Sequence, residues 1–341
     1  MDDQSVFATR EASALRTTLA NAIGPLLVDV REVVVLGFQP QTNAGDALIW
    51  LGQLRLLSDL GIRVRGVGQV GFFDKRMLER LPPEVAIVLV GGGNFGDLWT
   101  EFQVYREMVI SAAAGRRIVQ FPQSLCFRDE TNIPLTRAVL SNHGNVTLTW
   151  RDEQSYKSAR ELFPDTTSVL VPDVAFAAGP LEVSRQPKHP VICIARRDQE
   201  GGELCAVRLS DGRQVDWTGR GGASIMIKCA PILMMLALEQ RLGRLMGASL
   251  RMSLCKVFAD VTVEHAKALV SSAEVIVSDR LHAHVLCMML GIPHVMVDTR
   301  YGKISSFINT WTVDSELVEL ASSPKEAVEI ARSLAARQRG A

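Results

Sequence analysis

Short runs of aliphatic residues alternate with longer amphipathic segments through the first half of the chain. The aliphatic runs lie at 33–36, 62–64, 85–90, 118–121, 146–149 and 168–171. Some are almost continuously apolar, which is typical of strands that are covered on both faces by crossover helices. The segments 47–60, 98–114 and 153–162 have the spacing of helices, and Asp152 stands where a helix cap is expected. This alternation predicts a doubly wound α/β unit with a parallel sheet.

A second series of strands and helices follows a segment that has no periodicity. Glycine, prolines and polar residues at 179–180 and 184–190 are typical of a linker. Beyond it, strands are predicted at 191–194, 275–277 and 294–297, and helices at 231–245 and 281–290. The glycine-rich stretch 211–222 allows no assignment, and a last amphipathic helix at 325–336 could pack on either unit.

The order of these elements predicts an α/β fold with two Rossmann-like, doubly wound domains. The length of 341 residues also exceeds the size at which one hydrophobic core usually keeps growing. We therefore expect an N-terminal domain at 1–182, a C-terminal domain at 190–323 and a C-terminal helix at 324–341.

The charge and the apolar stretches of the chain exclude several classes of protein. Acidic and basic residues number 37 each, so the net charge provides no long-range attraction to nucleic acid or to an anionic membrane. The first ten residues lack the apolar core of a secretory signal. The most apolar stretch, 229–238, contains Pro231 and is much shorter than the roughly 20 residues that cross a bilayer. We predict a cytoplasmic protein with no nucleic-acid partner and no transmembrane segment.

The cysteines are scattered and no two have the CxxC spacing of a zinc or redox site. Several lie inside apolar runs, which favours reduced and mostly buried thiols. They are Cys126, Cys193, Cys205, Cys229, Cys255 and Cys287.

Candidate chemistry begins with the turn between the first predicted strand and helix, which contains Asn43, Gly45 and Asp46. Glycine permits a tight turn or a close approach of a ligand to the backbone. Asp46 either caps the helix or directs a carboxylate into the crevice at the end of the strand. Both interpretations are open at this stage.

A glycine-rich turn follows the buried strand at 85–90 in the same way. Gly92, Gly93 and Asn94 belong to the run GGGNFGD, which presents bare backbone to a ligand or to a facing domain. The run matches neither a Walker loop nor GxGxxG, so it implies no nucleotide.

Charged residues also follow two other strands. Arg151 stands at a strand-to-helix junction, where its guanidinium suits a carboxylate or a phosphate, although a surface ion pair would have the same sequence. Arg196, Asp198 and Glu200 follow the first strand of the second unit, where a solvated loop is the alternative.

The segment SDRLHAH at 278–284 carries the strongest signal for a functional site. Ser278, Arg280 and His282 gather at the start of an apolar helix, where amide donors and the helix dipole favour an anion. An imidazole there can also donate a proton near neutral pH. His282 and His284 point to nearly opposite faces of the helix, so they form a poor metal pair, and His284 is expected in the core. No metal site is predicted.

Taken together, these motifs resemble the polysaccharide pyruvyl transferase family, in the same order, over about residues 43–311. The segments that carry the resemblance are 43–46, 91–94, 122–124, 151–155, 172–173, 278–282 and 291–293. The run 194–200 is similar to an arginine-x-aspartate-x-glutamate element of the exopolysaccharide members.

The resemblance implies a GT-B-like fold, in which two Rossmann-like domains face each other across a cleft that holds the active site. It further implies phosphoenolpyruvate as the donor, and as product a pyruvate ketal on two hydroxyls of an exopolysaccharide or glycolipid precursor. Arg280, Leu281 and His282 would contact the donor together with Arg151, and Asp46 would belong to the catalytic site. His282 would supply the proton and Asp46 would orient or deprotonate an acceptor hydroxyl.

The remaining sequence-predicted residues would line the substrate site. We expect no cofactor, and a saccharide or lipid-linked oligosaccharide as acceptor. The sequence does not indicate an oligomeric state, and peripheral association with the inner membrane face stays open. Substrate contacts are predicted for Asn43, Gly45, Gly92, Gly93, Asn94, Ser278, Arg196, Asp198 and Glu200.

Two other functions remain open from the sequence. A nucleotide-sugar glycosyltransferase would share this architecture, but the helix at 281–291 lacks the carboxylate that often holds a ribose in such enzymes. A non-catalytic binding protein could also use the same fold.

Overall fold

A computed structural model describes residues 3–71, 75–113, 115–179, 181, 187–207, 209, 212–218, 222–242 and 247–340. The predicted linker lies partly outside these residues, because 180 and 182–186 are not described. Parts of the glycine-rich stretch 211–222 and the end of the predicted helix 231–245 lie outside them as well.

The first half of the chain forms one parallel sheet. Its strands run in the order β2-β1-β3-β5-β6-β7, with β4 beside β5, and each pairing is parallel. The carboxyl ends of the strands therefore lie at one edge, where the loops that follow them meet. The strands are β1 (Glu32–Phe38), β2 (Arg63–Gln69), β3 (Ala86–Leu89), β4 (Gly92–Phe95), β5 (Ile118–Leu125), β6 (Val146–Trp150) and β7 (Thr167–Leu170).

The helices of this half include two whose starts differ from the prediction. The helix expected from Ala47 begins three residues earlier because Asn43 is its cap, and the helix expected from Leu98 begins at Thr100 after a 3₁₀ turn. Asp152 caps the helix that it was expected to cap. The helices are α1 (Asp3–Ile23), α2 (Ala44–Asp59), α3 (Lys75–Glu79), α4 (Thr100–Ala112), α5 (Ile133–His143) and α6 (Glu153–Leu162).

The second half forms another parallel sheet, in the order β12-β11-β10-β8-β9. Its strands are β8 (His189–Ile194), β9 (Arg213–Val215), β10 (Ala273–Ser278), β11 (His294–Val297) and β12 (Val318–Ala321). Its helices are α7 (Ala223–Lys228), α8 (Ala230–Leu242), α9 (Ala248–Ser271), α10 (Leu281–Leu290), α11 (Lys303–Trp311) and α12 (Pro324–Gly340). Two parallel sheets with flanking helices confirm the predicted fold class of two Rossmann-like units in a GT-B-like arrangement.

The largest hydrophobic cluster connects the two sheets rather than belonging to one of them. It contains Trp50 of α2, Phe258 of α9 and Leu286 of α10, all of which are fully buried. Helix α1 contributes Leu19 to this cluster and packs against α10, so the first helix reaches the second half. The domain bounds at 182 and 190 stay a prediction.

Helix α12 packs on the second sheet, which settles the alternative that the sequence left open. Its alanines Ala327, Ala331 and Ala335 are fully buried against Val275 and Val295. None of the helices in the described ranges has both the length and the apolar character that crossing a membrane would require.

The cysteines confirm the prediction of free and mostly buried thiols. Cys193, Cys229, Cys255 and Cys287 are buried, and desolvation raises the pKa of both Cys193 and Cys255 to about 12. Cys205 is the exposed exception.

Candidate active site

A cavity of about 250 Å³ opens between the carboxyl edges of the two sheets. Loops of the first sheet supply one wall, and the loops after β8, β10 and β11 supply the other. Most of the residues predicted from sequence line it: Asn43, Asp46, Gly93, Asn94, Arg151, Arg196, Asp198, Glu200, Arg280, Leu281 and His282. The structure thus brings residues separated by more than two hundred positions into one site.

The two sides of the cavity meet in a group formed by Arg151, Asp173 and His282. Arg151 Nη1 donates to Asp173 Oδ2 at 2.8 Å, and His282 Nε2 lies 3.3 Å from the same oxygen. Arg151 Nη1 also lies 3.4 Å from His282 Nε2. Burial alone would raise the pKa of Asp173, but the charges and hydrogen bonds of His282 and Arg151 outweigh it and hold that pKa well below its usual range. Asp173 is therefore an ionised carboxylate that contacts the Arg151 guanidinium on one side and the His282 imidazole on the other.

Arg151 is held rigidly by its other contacts. Its Nε donates to Ser124 Oγ at 2.9 Å, and that hydroxyl donates to the helix cap Asp152 at 2.7 Å. The side chain is almost completely buried, with 4% of its surface exposed. The sequence left a surface ion pair as an alternative for Arg151, and its burial in the cavity wall rules that alternative out.

The start of α2 provides the floor beneath His282. Asn43 caps the helix by accepting from the Gly45 N–H, and its Nδ2 donates to Asp46 Oδ2 at 2.9 Å. Gly45 does not line the cavity; it permits the imidazole of His282 to lie against the backbone, where an added Cβ would come 2.7 Å from Cγ of the ring.

Asp46 is a half-buried carboxylate at this helix start, facing His282. Desolvation raises its pKa above the ordinary value, although the charge of His282 and the hydrogen bond from Asn43 act in the opposite direction. A carboxylate with a raised pKa is a better proton acceptor, and Asp46 lines the cavity. Of the two interpretations offered by the sequence, the carboxylate that faces the crevice is correct, because Asn43 does the capping.

The glycine-rich turn allows two cationic side chains to lie close to its backbone. Gly93 has no side chain where Arg151 Nη2 lies, at 2.7 Å from the position of a Cβ, and Lys303 Nζ donates to the Gly93 carbonyl at 3.2 Å. Gly92 has a φ of 147°, which favours glycine, and it is not among the residues that line the cavity. The turn therefore allows a guanidinium and an ammonium to converge beside Asn94.

Lys303 was missed by the sequence analysis. It is the first residue of α11, 7% exposed, and it lines the cavity. Desolvation lowers its pKa, while Glu200, whose Oε2 lies 3.6 Å from Nζ, acts to raise it.

Arg280 is fixed on the opposite side of the cavity. Its Nη2 lies 2.7 Å from Asp216 Oδ1 and donates to Thr218 Oγ1 at 3.2 Å. Its Nε is buried and has no hydrogen-bond partner. Desolvation lowers the pKa of this guanidinium. A buried donor without a partner beside an open cavity is a candidate contact for a ligand.

Ser278 has a structural position rather than a place in the cavity wall. Its hydroxyl donates to the Ile194 carbonyl at 2.6 Å and accepts from the Arg280 N–H at 3.0 Å. It thereby fixes the end of β8 to the start of α10, and the structure gives it no exposure to a substrate.

The charged cluster after β8 contacts both halves. Arg196 Nη1 donates to Glu200 at 2.8 Å and its Nη2 donates to Asp198 at 3.0 Å. Glu200 also accepts from Trp99 Nε1 of the first half at 2.7 Å. The solvated loop that the sequence left possible is excluded for Glu200, which is 4% exposed.

The residues that sequence reasoning missed come from distant points in the chain. Asp173 follows β7, and only its place in the Pro-Asp pair of the family resemblance pointed to it. Asp216 and Lys303 carry no local signal, because each acquires its role only when its strand or helix packs beside the others. The remaining cavity residues outside the prediction include Trp99, Phe102, Trp217 and Thr218.

The fold and the cavity define the class of protein: a two-sheet GT-B-like α/β protein whose cleft is lined with both cations and carboxylates. The model of the family "Polysaccharide pyruvyl transferase" matches residues 43–301, so the chain belongs to this family and is a transferase.

Curated relatives agree with the family. The chain is 29% identical to pyruvyl transferase 1 of Schizosaccharomyces pombe over 296 residues, which cover 83% of this chain and 70% of the relative. It is 28% identical to the Bacillus subtilis EpsO protein, whose name also designates a pyruvyl transferase, over 82% of this chain and 85% of the relative. The crystal structure of an uncharacterized protein from Klebsiella pneumoniae matches 89% of this chain and 99% of that chain with a TM-score of 0.59 at 14% identity, which supports the fold.

Proposed function

We propose that this pyruvyl transferase takes its pyruvyl group from phosphoenolpyruvate and forms a ketal on two hydroxyls of a saccharide. The acceptor is a saccharide or lipid-linked oligosaccharide, as in an exopolysaccharide or glycolipid precursor. The reaction takes place in the cytoplasm and needs no cofactor, and access to a lipid-linked acceptor is compatible with peripheral association at the inner membrane face.

The observation that carries the proposal is the presence of cations from both sheets in the cavity that His282 lines. Phosphoenolpyruvate has a carboxylate and a phosphate, which both require positive partners. Arg151 and Lys303 lie over Gly93, while Arg280 stands on the opposite wall with an unsatisfied Nε. Cations on two walls can hold the two anionic ends and place the enol between them.

The proposed reaction begins with proton transfer from His282 to the methylene carbon of phosphoenolpyruvate, which becomes a methyl group. The adjacent carbon then has oxocarbenium character and forms a bond to the oxygen of the first sugar hydroxyl, which loses its proton. A second hydroxyl oxygen bonds to the same carbon as the bond to the phosphate oxygen breaks. One hydroxyl proton restores His282 and the other leaves with phosphate, so the atoms and charges balance.

Two carboxylates support these proton transfers. Asp173 balances the charge of the imidazolium at Nε2, in the way that a buried carboxylate supports a catalytic histidine elsewhere. Asp46, with its raised pKa, accepts the proton of the second acceptor hydroxyl and passes it to the departing phosphate.

The direct test incubates the purified protein with phosphoenolpyruvate and candidate glycans and measures glycan mass and released phosphate together. Mass gain with matching phosphate release is expected, and a ketal differs from a simple enolpyruvyl ether by nuclear magnetic resonance. Saturation by a nucleotide sugar instead of phosphoenolpyruvate would contradict the proposal in favour of glycosyl transfer.

Two variants test the roles. His282→Ala should remain folded and lose pyruvyl transfer, whereas Arg280→Ala should mainly weaken binding of phosphoenolpyruvate. The control is His265→Ala on α9, outside the cavity. Normal phosphate release by His282→Ala would exclude it as the acid.

A further inference from the structure

A buried arginine that the proposed chemistry does not use holds the turn that carries Asn94 from behind. Arg106 of α4 is 4% exposed. Its Nε donates to Gln120 Oε1 at 2.7 Å, its Nη1 to Gln103 Oε1 at 2.6 Å, and its Nη2 to Asn94 Oδ1 at 2.7 Å. Its guanidinium also lies over the Phe95 ring, 4.5 Å from the centroid. The arginine is thus fixed on several sides.

The chemistry of these groups determines the orientation of the Asn94 amide. A guanidinium has donors and no acceptors, so the side-chain atom of Asn94 that faces it is the oxygen. The same Oδ1 accepts from Gln123 Nε2 at 3.1 Å. Since protein donors occupy the oxygen, the amide nitrogen Nδ2 is the atom left for the cavity that Asn94 lines.

The orientation of Arg106 is determined one step further back. Gln103 Nε2 donates to Glu107 Oε1 at 2.7 Å and to Thr136 Oγ1 at 3.0 Å. Because a carboxylate only accepts, this contact turns Gln103 Oε1 toward Arg106 and toward the Gly96 N–H. A continuous line of hydrogen bonds therefore connects Asn94 to the Glu107 carboxylate, in which Arg106 donates to Asn94 and to Gln103, and Gln103 donates to Glu107.

We propose that Arg106, itself oriented by Gln103, is a positioning residue that fixes the Asn94 amide so that Nδ2 donates a hydrogen bond to an anionic group of the donor substrate. The inference rests on the proposed use of the cavity for phosphoenolpyruvate. Asn94 directly follows Gly93, over which Arg151 and Lys303 converge, so the three donors serve the same anion.

The positive charge of Arg106 favours an anion beside Asn94, as does the amide orientation that Arg106 imposes. The hydrogen bonds described above end on neutral amide oxygens, and the Glu107 carboxylate also acts on the guanidinium through its charge. Desolvation lowers its pKa to about 9, which leaves the guanidinium protonated at neutral pH.

The first test is Asn94→Asp, which is nearly isosteric. A carboxylate keeps an acceptor for Arg106 and Gln123 but replaces the donor that faces the cavity with an oxygen. The expected result is a dissociation constant and a KM for phosphoenolpyruvate that rise roughly tenfold or more, with a smaller change in kcat. Asn142→Asp, the same change at an exposed position of α5, should leave both constants unchanged.

The second test asks whether Arg106 acts through Asn94. Arg106→Lys keeps the charge but cannot reach Gln103, Gln120 and Asn94 together, so it should weaken phosphoenolpyruvate binding several-fold in the unaltered chain. In an Asn94→Ala background the same substitution should have no further effect. Arg160→Lys, at an exposed position of α6, is the matched control.

The outcomes separate this inference from the function on which it rests. Unchanged affinity of Asn94→Asp for phosphoenolpyruvate, or effects of Arg106→Lys and Asn94→Ala that multiply, would overturn the positioning role. Absence of phosphoenolpyruvate binding by the unaltered protein would instead overturn the proposed function. If the Arg106 variant does not fold, Asn94→Asp still decides.

Discussion

The imidazole of His282 lies against the backbone of Gly45, so close that a Cβ on Gly45 would come 2.7 Å from the ring Cγ. These two residues belong to opposite walls of the cavity, one at the start of α2 and the other in the first turn of α10. The contact sets how far the ring can move toward the first sheet. It therefore makes the position of the candidate acid depend on the absence of one methyl group.

Gly45→Ala is expected to displace His282 from Asp173 and to lower kcat about a hundredfold or more, since small misplacements of reacting groups have effects of that size. The folded state should persist, because the ring can shift into the cavity. The measurement is the rate of phosphate release, with circular dichroism as the check of folding. Gly66→Ala is the control, because its Cβ would lie 3.8 Å from Val34, an ordinary contact. Equal rates for both variants would show that the close approach has no catalytic importance.

The raised pKa of Asp46 predicts the acidic side of the pH profile. Burial favours its neutral form, and a protonated carboxyl cannot accept a proton from a sugar hydroxyl. The transfer rate should fall as the pH decreases through this raised pKa. Asp46→Asn should lower the rate about 10²- to 10⁴-fold and remove this acidic limb.

The pH dependence of kcat/KM distinguishes this role from a structural one. Asp165→Asn, at an exposed position, should preserve the wild-type profile. An Asp46→Asn enzyme that keeps the same acidic limb at a lower rate would assign the limb to another group.

Glu200 connects the halves, since it accepts from Trp99 Nε1 at 2.7 Å and from Arg196 at 2.8 Å. Trp99→Phe removes the hydrogen bond from Trp99 to Glu200, and Glu200→Gln weakens the bonds that Glu200 accepts from Trp99 and from Arg196. A double-mutant cycle on the free energy of unfolding should give a coupling of about 1–3 kcal/mol, because the hydrogen bond ends on a buried carboxylate. A coupling close to zero would mean that the contact does not stabilise the arrangement of the two sheets.

Two buried histidines predict loss of stability in acid. His294 Nδ1 donates to the Ile292 carbonyl at 2.8 Å, so its Nε2 accepts from His284 Nδ1 at 2.7 Å, and both rings are neutral. Desolvation lowers the pKa of His294 to about 4 and that of His284 well below 6.5. The unfolded chain binds these protons near pH 6.5 and the folded chain does not, so the free energy of unfolding should decrease as the pH falls from about 6.5 toward about 4.

The quantity to measure is the slope of the free energy of unfolding against pH. Each buried histidine contributes at most about 1.4 kcal/mol per pH unit, and His284→Asn should remove one such contribution. His265→Asn provides the comparison at a half-buried position. A slope that is the same in both variants would exclude His284 as a cause of acid sensitivity.

Local patterns in the sequence were sufficient for many of the helices and strands and for part of the site. Helix α6 and helix α10 begin and end where the pattern predicted, because Asp152 and the apolar run before Gly291 carry the signals of their ends. The burial of His284 was also predicted correctly from its angular separation from His282.

Relationships between distant elements could not be derived in this way. No spacing indicates that Asp173 accepts from Arg151 and faces His282, since the three follow different strands. The 24-residue helix α9 was missed because it is amphipathic only weakly and packs on several sides. Ser278 shows the opposite error. It was predicted to contact the substrate because it lies in a functional motif, but its hydroxyl bonds to the backbone instead.

Helix α1 ties the two sheets together through polar contacts at separate points. Arg16 donates to the Gly179 carbonyl at 2.7 Å and pairs with Asp59 of α2, while Glu11 accepts from Ser315 beyond α11 at 2.7 Å. Any wide separation of the sheets would have to break these bonds as well as the apolar contacts of α1 with α10. Substrates should therefore reach a cleft whose width changes little, and exchange of donor for product should depend on side-chain motion at its mouth rather than on a large domain swing.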